Sequence, residues 1–150
     1  MALIRLAKPS DAKSVIEIIA QSSHTPNDYP NNGFVKHQNL DEWCYRRRIS
    51  STPFFYCAEL LGKVVGFLAA YPLRSIWEET LNNDPLTRKL QRRYPDDVYF
   101  DQVAIRREWR EKRIAQNLAH TMHQAAAMMH YGGIVGVRDY RKIICRFSLV

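Results

Sequence analysis

The feature that most constrains this chain is a change of hydrophobic period near residue 105. Residues 97–105, DVYFDQVAI, form a dense apolar run that is typical of a central β-strand. The pattern after Arg113 has a helical period instead, and Gly132 and Gly133 are expected to end the helix. Its apolar stripe comprises Ile114, Leu118, Met122, Ala125 and Met129. A central strand that leads through a short turn into a long helix predicts a sheet with this helix packed on it.

The turn between that strand and that helix is rich in charge. Residues 106–113, RREWREKR, contain five basic residues and two glutamates. The first amides of a helix lack partners within it, and the helix dipole places positive partial charge at the same end. This segment is therefore a candidate anion site, and its charge suits a pyrophosphate with a further phosphate.

The rest of the chain alternates between strand and helix patterns. The predicted elements are a strand at 2–7, a helix at 8–23 capped by Ser10 or Asp11, a loop at 24–34, a short helix at 40–50, a hairpin at 54–71, helical pieces at 75–84 and 85–94, a fifth strand at 134–139 and a tail at 140–150 that reads as strand or broken helix. This order predicts one domain over 1–150, an α/β (α+β) fold with a mixed central sheet and helices on both faces.

Composition narrows the class of protein. Three cysteines, Cys44, Cys57 and Cys145, form no CxxC pair, so we expect reduced thiols and neither a zinc site nor a disulfide framework. His120 and His123 are i, i+3 neighbours without a third ligand in register, so no metal is expected. No stretch approaches the roughly 20 apolar residues of a membrane span, and no secretory signal is evident. The expected location is the cytoplasm.

The formal net charge of +7 is compatible with several kinds of binding partner. It is compatible with attraction to nucleic acid, to an anionic membrane or to a phosphorylated small molecule, and equally with a solvated surface that keeps the protein soluble. A nucleic-acid binder would use the basic turn and the VRDYRK tail at 137–142, but no recognisable nucleic-acid motif supports it. Neither nucleic acid nor membrane is therefore the expected partner.

Three segments together resemble the GNAT superfamily of acetyl-CoA-dependent N-acetyltransferases. The family signature, Arg/Gln-x-x-Gly-x-Gly/Ala after a strand, is similar to VAIRREWREKRIAQNL at 103–118, with Arg110 in the first position and Ala115 in the last. The segment IRLAKPSDA at 4–12 resembles the family's first strand and helix, and the hairpin at 54–70 resembles its second and third strands. The resemblance covers most of the chain and implies a GNAT-like fold.

The resemblance also implies a reaction and its residues. The acetyl group would pass directly from acetyl-CoA to a primary amine, without an acyl-enzyme. Asp101 is the candidate general base, with Glu59 as a weaker rival, and Tyr140 is the nearest candidate for the acid that protonates the leaving thiolate. Strand alternation places Asp101 on the same face as Val103 and Ile105. The residues implied for binding the cofactor are Val103, Ala104, Ile105, Arg110, Glu111, Lys112, Arg113, Ile114, Ala115 and Gln116.

The chain departs from the family pattern at two positions. Arg113 stands where the family usually has its first motif glycine, and Glu111 stands where a second glycine often lies. Glycine lets the backbone approach a pyrophosphate closely, so both replacements could hinder binding. A helical backbone with negative φ at Arg113 would tolerate the Cβ and let the guanidinium grip a phosphate. The alternative to an enzyme is a non-catalytic acyl-CoA-binding or regulatory module.

The C-terminal end is short by the standard of the family. Family members usually continue past the fifth strand through a helix and a final hairpin, and this chain stops before that point. An exposed fifth strand would invite pairing with another chain. We therefore expect either a homodimer or a tail strand, KIICRFSLV at 142–150, that folds back over the edge.

Overall fold

The computed structural model describes residues 1–22, 41–76, 84–110, 112–138 and 143–150. These residues form a six-stranded sheet whose strands follow one another in chain order. The strands are β1 Leu3–Leu6, β2 Phe54–Leu60, β3 Lys63–Pro72, β4 Val98–Ile105, β5 Gly133–Arg138 and β6 Ile143–Ser148. The helices are α1 Ala12–Ser22, α2 Glu42–Ser50, α3 Pro85–Arg93 and α4 Ile114–Met128. The loop predicted at 24–34 and most of the helix predicted at 75–84 lie outside the described residues.

The sheet is mixed, as predicted. Strands β4 and β5 run parallel, and every other neighbouring pair is antiparallel. The predicted hairpin is confirmed, with its turn at Leu61 and Gly62. Both turn residues have positive φ, 53° and 74°, which is the backbone twist that a two-residue hairpin requires.

Helices cover both faces of the sheet. One core packs α1, α2 and α3 on one face, where Val15, Tyr45 and Leu90 meet the sheet residues Phe67 and Ala69. The other core packs α4 alone on the opposite face. Among the described helices, none has the length and apolar character needed to span a membrane.

Helix α4 follows its predicted stripe only in part. Ile114, Leu118 and Met122 are buried, and Ala126 completes the buried stripe. Met129 is 52% exposed because it lies beyond the last helical residue.

The end predicted for α4 at Gly132 and Gly133 is wrong. The left-handed residue after the helix is His130, with φ 64°. The amides of His130 and Tyr131 donate to the carbonyls of Ala127 and Ala126, both at 3.1 Å. These two bonds close a Schellman motif, so the helix stops before the glycines.

The tail is a strand, and it covers the edge of β5. Strand β6 pairs antiparallel with β5 from Ile143↔Arg138 to Ser148↔Gly133. Arg146 of β6 donates to both carboxylate oxygens of Asp97, at 2.6 and 3.1 Å, and Asp97 is only 2% exposed. This bidentate ion pair ties the tail strand to the start of β4, so the prediction of a tail strand is confirmed.

Candidate active site

Strands β4 and β5 separate after a short stretch of pairing. Their register runs only through Val98↔Ile134, Tyr99↔Val135 and Phe100↔Gly136. Strand β4 continues to Ile105 and stays paired with β3 on its other side. Over the described residues, the β5-facing edge of β4 beyond Phe100 thus forms no ladder with β5. We call the gap between the two parallel strands beyond this point the cleft, and its β4 edge includes the backbone of Val103 and Ile105, while Ala104 between them pairs with Phe67 of β3.

Asp101 lies at a β-bulge where the cleft begins. In the β3–β4 register Ala69 pairs with Gln102 and Ala70 with Phe100, so Asp101 is an extra residue on β4. A bulge of this kind interrupts strict side-chain alternation. Val103 and Ile105 pack with the α4 core, whereas Asp101 contacts Arg48 of α2 on the opposite face. The prediction that Asp101 shares a face with Val103 and Ile105 is therefore wrong, and the bulge is the reason.

A buried polar cluster surrounds Asp101. Arg48 Nη1 lies 3.6 Å from Asp101 Oδ2, and the two side chains are 3% and 2% exposed. The Tyr45 hydroxyl donates to Gln102 Oε1 at 2.9 Å, and the Arg48 guanidinium lies 5.5 Å from the centre of the Tyr45 ring. Tyr71 of β3 is fully buried beside them. The cluster brings one helix and two strands together beside the cleft.

Burial sets the protonation of the phenols in this cluster. Burial raises the pKa of Tyr45 to about 12 and also raises the pKa of Tyr71 and Tyr99. Burial alone would lower the pKa of Arg48, but the electrostatic effects of Tyr71, Asp101 and Tyr45 outweigh it and leave that pKa raised. The phenols are therefore neutral at physiological pH, and Arg48 is the permanent cation of the cluster.

The rival base Glu59 lies elsewhere in the sheet. It is on β2, opposite Leu3 of the outermost strand β1. Arg5 Nε donates to Glu59 Oε2 at 2.7 Å, and the same guanidinium donates to both oxygens of Asp11 at 2.8 and 3.0 Å. These contacts join β1 and β2 to the segment before α1, so the structure gives Glu59 a structural partner.

The N-terminus of α4 follows the cleft edge in the chain. Arg113 is the N-cap residue, with φ 59° and ψ 16°, and its side chain makes no capping hydrogen bond. The first α4 bond runs from Asn117 N to Arg113 O at 3.0 Å, which leaves the amides of Ile114, Ala115 and Gln116 without partners in the helix. The negative φ that would tolerate a Cβ is absent. Arg113 instead adopts the left-handed conformation, which glycine adopts without steric cost. This conformation is a physical reason for the glycine that the family usually has at this position.

The basic residues of the turn divide into two groups. Arg106 Nε donates to the carbonyl of Val64 at 2.9 Å and Arg106 Nη2 to Glu17 at 3.0 Å. Arg110 Nε donates to the carbonyl of Ile105 at 3.1 Å, and Arg110 Nη2 to the hydroxyl of Ser22 at 3.4 Å. These two arginines fasten the turn to the protein.

The other cations of the turn face solvent. They are Arg107, Lys112 and Arg113, and all three are exposed. Their exposure leaves their charge open to a ligand from solvent. Glu111 and Tyr140, both predicted site residues, lie outside the described residues.

Sequence reasoning missed Arg48, although a signal was available. Tyr45, Arg48 and Ile49 have the i, i+3, i+4 spacing of one helical face, and all three are buried. A cation on the apolar stripe of a helix needs an acidic partner in the core, because burying an unpaired charge is costly. Tyr71 and Gln102 had no comparable signal, since their polar atoms meet α2 only in the folded sheet.

Comparisons with known proteins agree with this fold. The model of the acetyltransferase (GNAT) family matches residues 18–140. Solved structures show the same fold: the diaminobutyrate acetyltransferase EctA from Paenibacillus lautus has a TM-score of 0.62 at 18% identity, covering 91% of this chain and 64% of its own. The PaiA N-acetyltransferase from Thermoplasma acidophilum has a TM-score of 0.65 at 11% identity, with coverage of 95% and 82%.

A third structure covers nearly the whole chain. A GNAT-family acetyltransferase from Brucella melitensis has a TM-score of 0.63 at 15% identity and covers 99% of this chain and 88% of its own. Sequence comparison with curated proteins gives no match. The family model spans more than three quarters of the chain and confirms the resemblance seen in its motifs. The chain therefore belongs to the GNAT acetyltransferase family.

Proposed function

We propose that this protein transfers an acetyl group directly from acetyl-CoA to a primary amine. The observation that carries the proposal is the cleft where β4 leaves β5, followed in the chain by the open first turn of α4. A cleft between parallel strands exposes backbone amides, and a helix N-terminus binds phosphate. Family membership adds independent support.

Relatives of the same fold support the choice of donor. The Paenibacillus enzyme was solved with L-2,4-diaminobutyric acid and coenzyme A, the Thermoplasma enzyme with coenzyme A and the Brucella enzyme with acetyl-CoA. The present chain spans 64% of the Paenibacillus protein, so that protein's acceptor is not transferred to this one.

The residues around the cleft fit such a donor. We assign the amides of Val103 and Ile105 to the pantetheine arm and to the tetrahedral oxyanion, while Ala104 between them pairs with Phe67 of β3 and keeps β4 in place. The first-turn amides of Ile114, Ala115 and Gln116 would receive the diphosphate. Lys112 and Arg113 would supply positive charge beside these amides. Arg110 holds the turn through its bond to the carbonyl of Ile105, and Glu111 lies between Arg110 and Lys112 in the chain.

Asp101 is the residue we propose as general base. Acetyl-CoA supplies an activated thioester carbonyl, and a lysine-like amine has a pKa near 10.4, so a group that removes its proton accelerates attack. Arg48, at 3.6 Å, favours the ionised carboxylate that this role requires. Asp101 takes the proton of the amine as the C–N bond forms, and Tyr140 protonates the thiolate as the C–S bond breaks.

The proposal includes a cytoplasmic homodimer. Cys44, Cys57 and Cys145 are free thiols, which is usual for a reducing compartment. Strand β6 is an edge strand with Ile143 44% and Phe147 59% exposed, and such an edge favours pairing with a second copy. Light scattering should report twice the 17.6 kDa monomer mass. A monomer mass at high protein concentration would remove this part of the proposal.

Two measurements on the same protein test the main proposal. Titration calorimetry with acetyl-CoA should show saturable binding, and a thiol-release assay over a panel of diamines, amino acids and peptides should show turnover with at least one acceptor. Failure to bind acetyl-CoA would refute the donor assignment.

A non-catalytic acyl-CoA-binding module is the second candidate. It is favoured by one observation, the left-handed Arg113, which places a Cβ and a long side chain where the family has glycine. The module predicts saturable acetyl-CoA binding with no thiol release across the whole panel. Turnover with any amine excludes it.

A further inference from the structure

We propose that the outer faces of α2 and α3 bind single-stranded nucleic acid. These two nine-residue helices carry seven of the chain's 22 basic residues and one of its 15 acidic residues. They contribute six units to the formal net charge of +7, or five units without the buried Arg48. We call the outward-facing residues Trp43, Arg46, Arg47, Arg88, Lys89, Arg92 and Arg93 the arginine face, and Arg48 is excluded because it contacts Asp101 in the core.

Both helices lie on the same side of the sheet. Tyr45 and Ile49 of α2 and Leu90 of α3 belong to one core, and α4 packs on the opposite face. The described cations of these two helices thus lie on one side of the sheet, where they can act on one polyanion.

The positive charges on α3 repel one another and destabilise the helix. Arg88 with Arg92 and Lys89 with Arg93 are like-charge pairs at i, i+4, a spacing at which like charges destabilise a helix. No acidic residue lies between Pro85 and Arg93, and the nearest in the chain is the N-cap residue Asp84, four residues before Arg88. The helix dipole favours Arg92 and Arg93 in the last turn but not the two cations in the first half. A bound polyanion would relieve this repulsion.

Helix α2 adds an aromatic groove to the charge. A groove of about 300 Å³ is lined by Trp43, Arg46, Arg47, Ser50 and Ser51. Trp43 is 61% exposed, and the Arg47 guanidinium lies 4.6 Å from the centre of its ring. Both serine hydroxyls donate to backbone carbonyls, and Glu42 pairs with Arg46 at 3.3 Å. The surface therefore presents guanidinium and indole groups.

This combination favours an unpaired strand over an acidic peptide. Guanidinium groups match phosphate with two parallel hydrogen bonds, and an exposed indole stacks on a base whose face is open. Duplex bases are already stacked, and a peptide of Asp and Glu has no planar group for the indole. The proposal does not depend on acetyl transfer, because α4 with its open first turn packs on the other face.

The test is fluorescence anisotropy with a labelled single strand of about 12 nucleotides, titrated at increasing salt. The Lys89→Glu/Arg92→Glu variant should bind more weakly, with a slope of log K against log salt smaller by about 1.4. The control Lys13→Glu/Lys63→Glu makes the same change of net charge at exposed residues outside both helices and should leave the slope unchanged. Trp43→Ala should weaken binding roughly tenfold to a hundredfold.

The outcomes separate this proposal from the others. Acetyl-CoA affinity, measured by calorimetry, should be the same in all these variants, whatever the fate of the proposed enzyme activity. Equal weakening by the control pair, undiminished binding by Trp43→Ala, or displacement of the strand by an equal charge of poly-glutamate would each overturn the proposal. The last result would point to an acidic protein partner instead.

Discussion

The guanidinium of Arg48 and the carboxylate of Asp101 lie 3.6 Å apart in the core, although one is on α2 and the other at the bulge of β4. Taking two charges out of water is costly, and each is tolerated only because the other is present. The pair therefore couples the placement of α2 to the strand that lines the cleft.

Removing Arg48 alone should be far more harmful than removing both charges. Arg48→Met leaves a buried carboxylate without its cation, and breaking a buried pair in this way costs about 3–5 kcal/mol. Arg48→Met/Asp101→Leu should recover most of that loss, since hydrophobic replacement of a whole pair is often neutral. Urea denaturation of both variants measures the difference. Equal stability of the single and double variants would show that the pair is not coupled.

Asp101→Asn should lower kcat without changing acetyl-CoA affinity. Loss of a general base costs about 10²–10⁴-fold in rate, whereas the proposed donor contacts are backbone amides elsewhere on β4. Steady-state kinetics with the best acceptor and calorimetry with acetyl-CoA provide the two readings. Glu59→Gln is the matched control, because Glu59 lies on β2, which β3 separates from β4, and contacts Arg5 of β1. A larger loss of kcat in that control would transfer the role to Glu59.

Arg113→Gly should stabilise the protein. Arg113 has φ 59°, and a non-glycine residue in this region costs roughly 1–2 kcal/mol that glycine does not incur. Arg113→Ala removes the same side chain but retains the Cβ, so it should show no comparable gain. Thermal denaturation of the two variants separates backbone strain from loss of charge.

The same pair of variants decides what Arg113 does for the ligand. Weaker acetyl-CoA binding in both would show that the guanidinium grips a phosphate. Tighter binding in both would show that the side chain obstructs the site.

Arg110→Ala should loosen the turn before α4, whereas Arg107→Ala should not. Arg110 bonds the carbonyl of Ile105 and the hydroxyl of Ser22, and a net bond from a charged donor contributes about 1.5–3 kcal/mol. Arg107 is exposed, so its loss should change the melting temperature little. If the two variants melt together, the contacts of Arg110 do not hold the turn.

Acid should weaken the link between β1 and α1. Burial raises the pKa of Asp11, but hydrogen bonds from Arg5 and Lys8 outweigh it and hold the pKa below its usual 3.8. A depressed pKa gives stability that is complete above the unfolded value of about 3.9 and is lost as pH falls through the folded value.

The difference in unfolding free energy between the native chain and Asp11→Asn should therefore be constant from pH 7 to about 5 and shrink below about 4. Urea denaturation across that range provides the measurement. A difference that persisted unchanged at the lowest pH would mean that the ionised carboxylate is not what stabilises this link.

Much of the fold could be predicted from the spacing of the apolar residues and from the residues at the turns. The two β-rich runs of residues 54–71, on either side of Leu61–Gly62–Lys63, predicted the hairpin. The helical piece predicted at 85–94 is α3, and the Asp84 carboxylate before it accepts from Thr87 N at 3.0 Å. These features depend on neighbours in the chain, so local composition is sufficient to encode them. The motif around Arg110 likewise located the strand, the turn and the start of the helix.

The parts that were misread depend on residues distant in the chain. No local pattern predicted the bulge at Asp101, because a bulge is defined by the register with β3. The bulge places the Asp101 side chain on the α2 side of the sheet, opposite the side of Val103. The left-handed backbone of Arg113 and of His130 was equally hard to predict, because positive φ is uncommon for any residue other than glycine and both positions lie at the ends of α4. Strand register and helix packing are long-range contacts, and they decided which charges meet in the core and which remain on the surface.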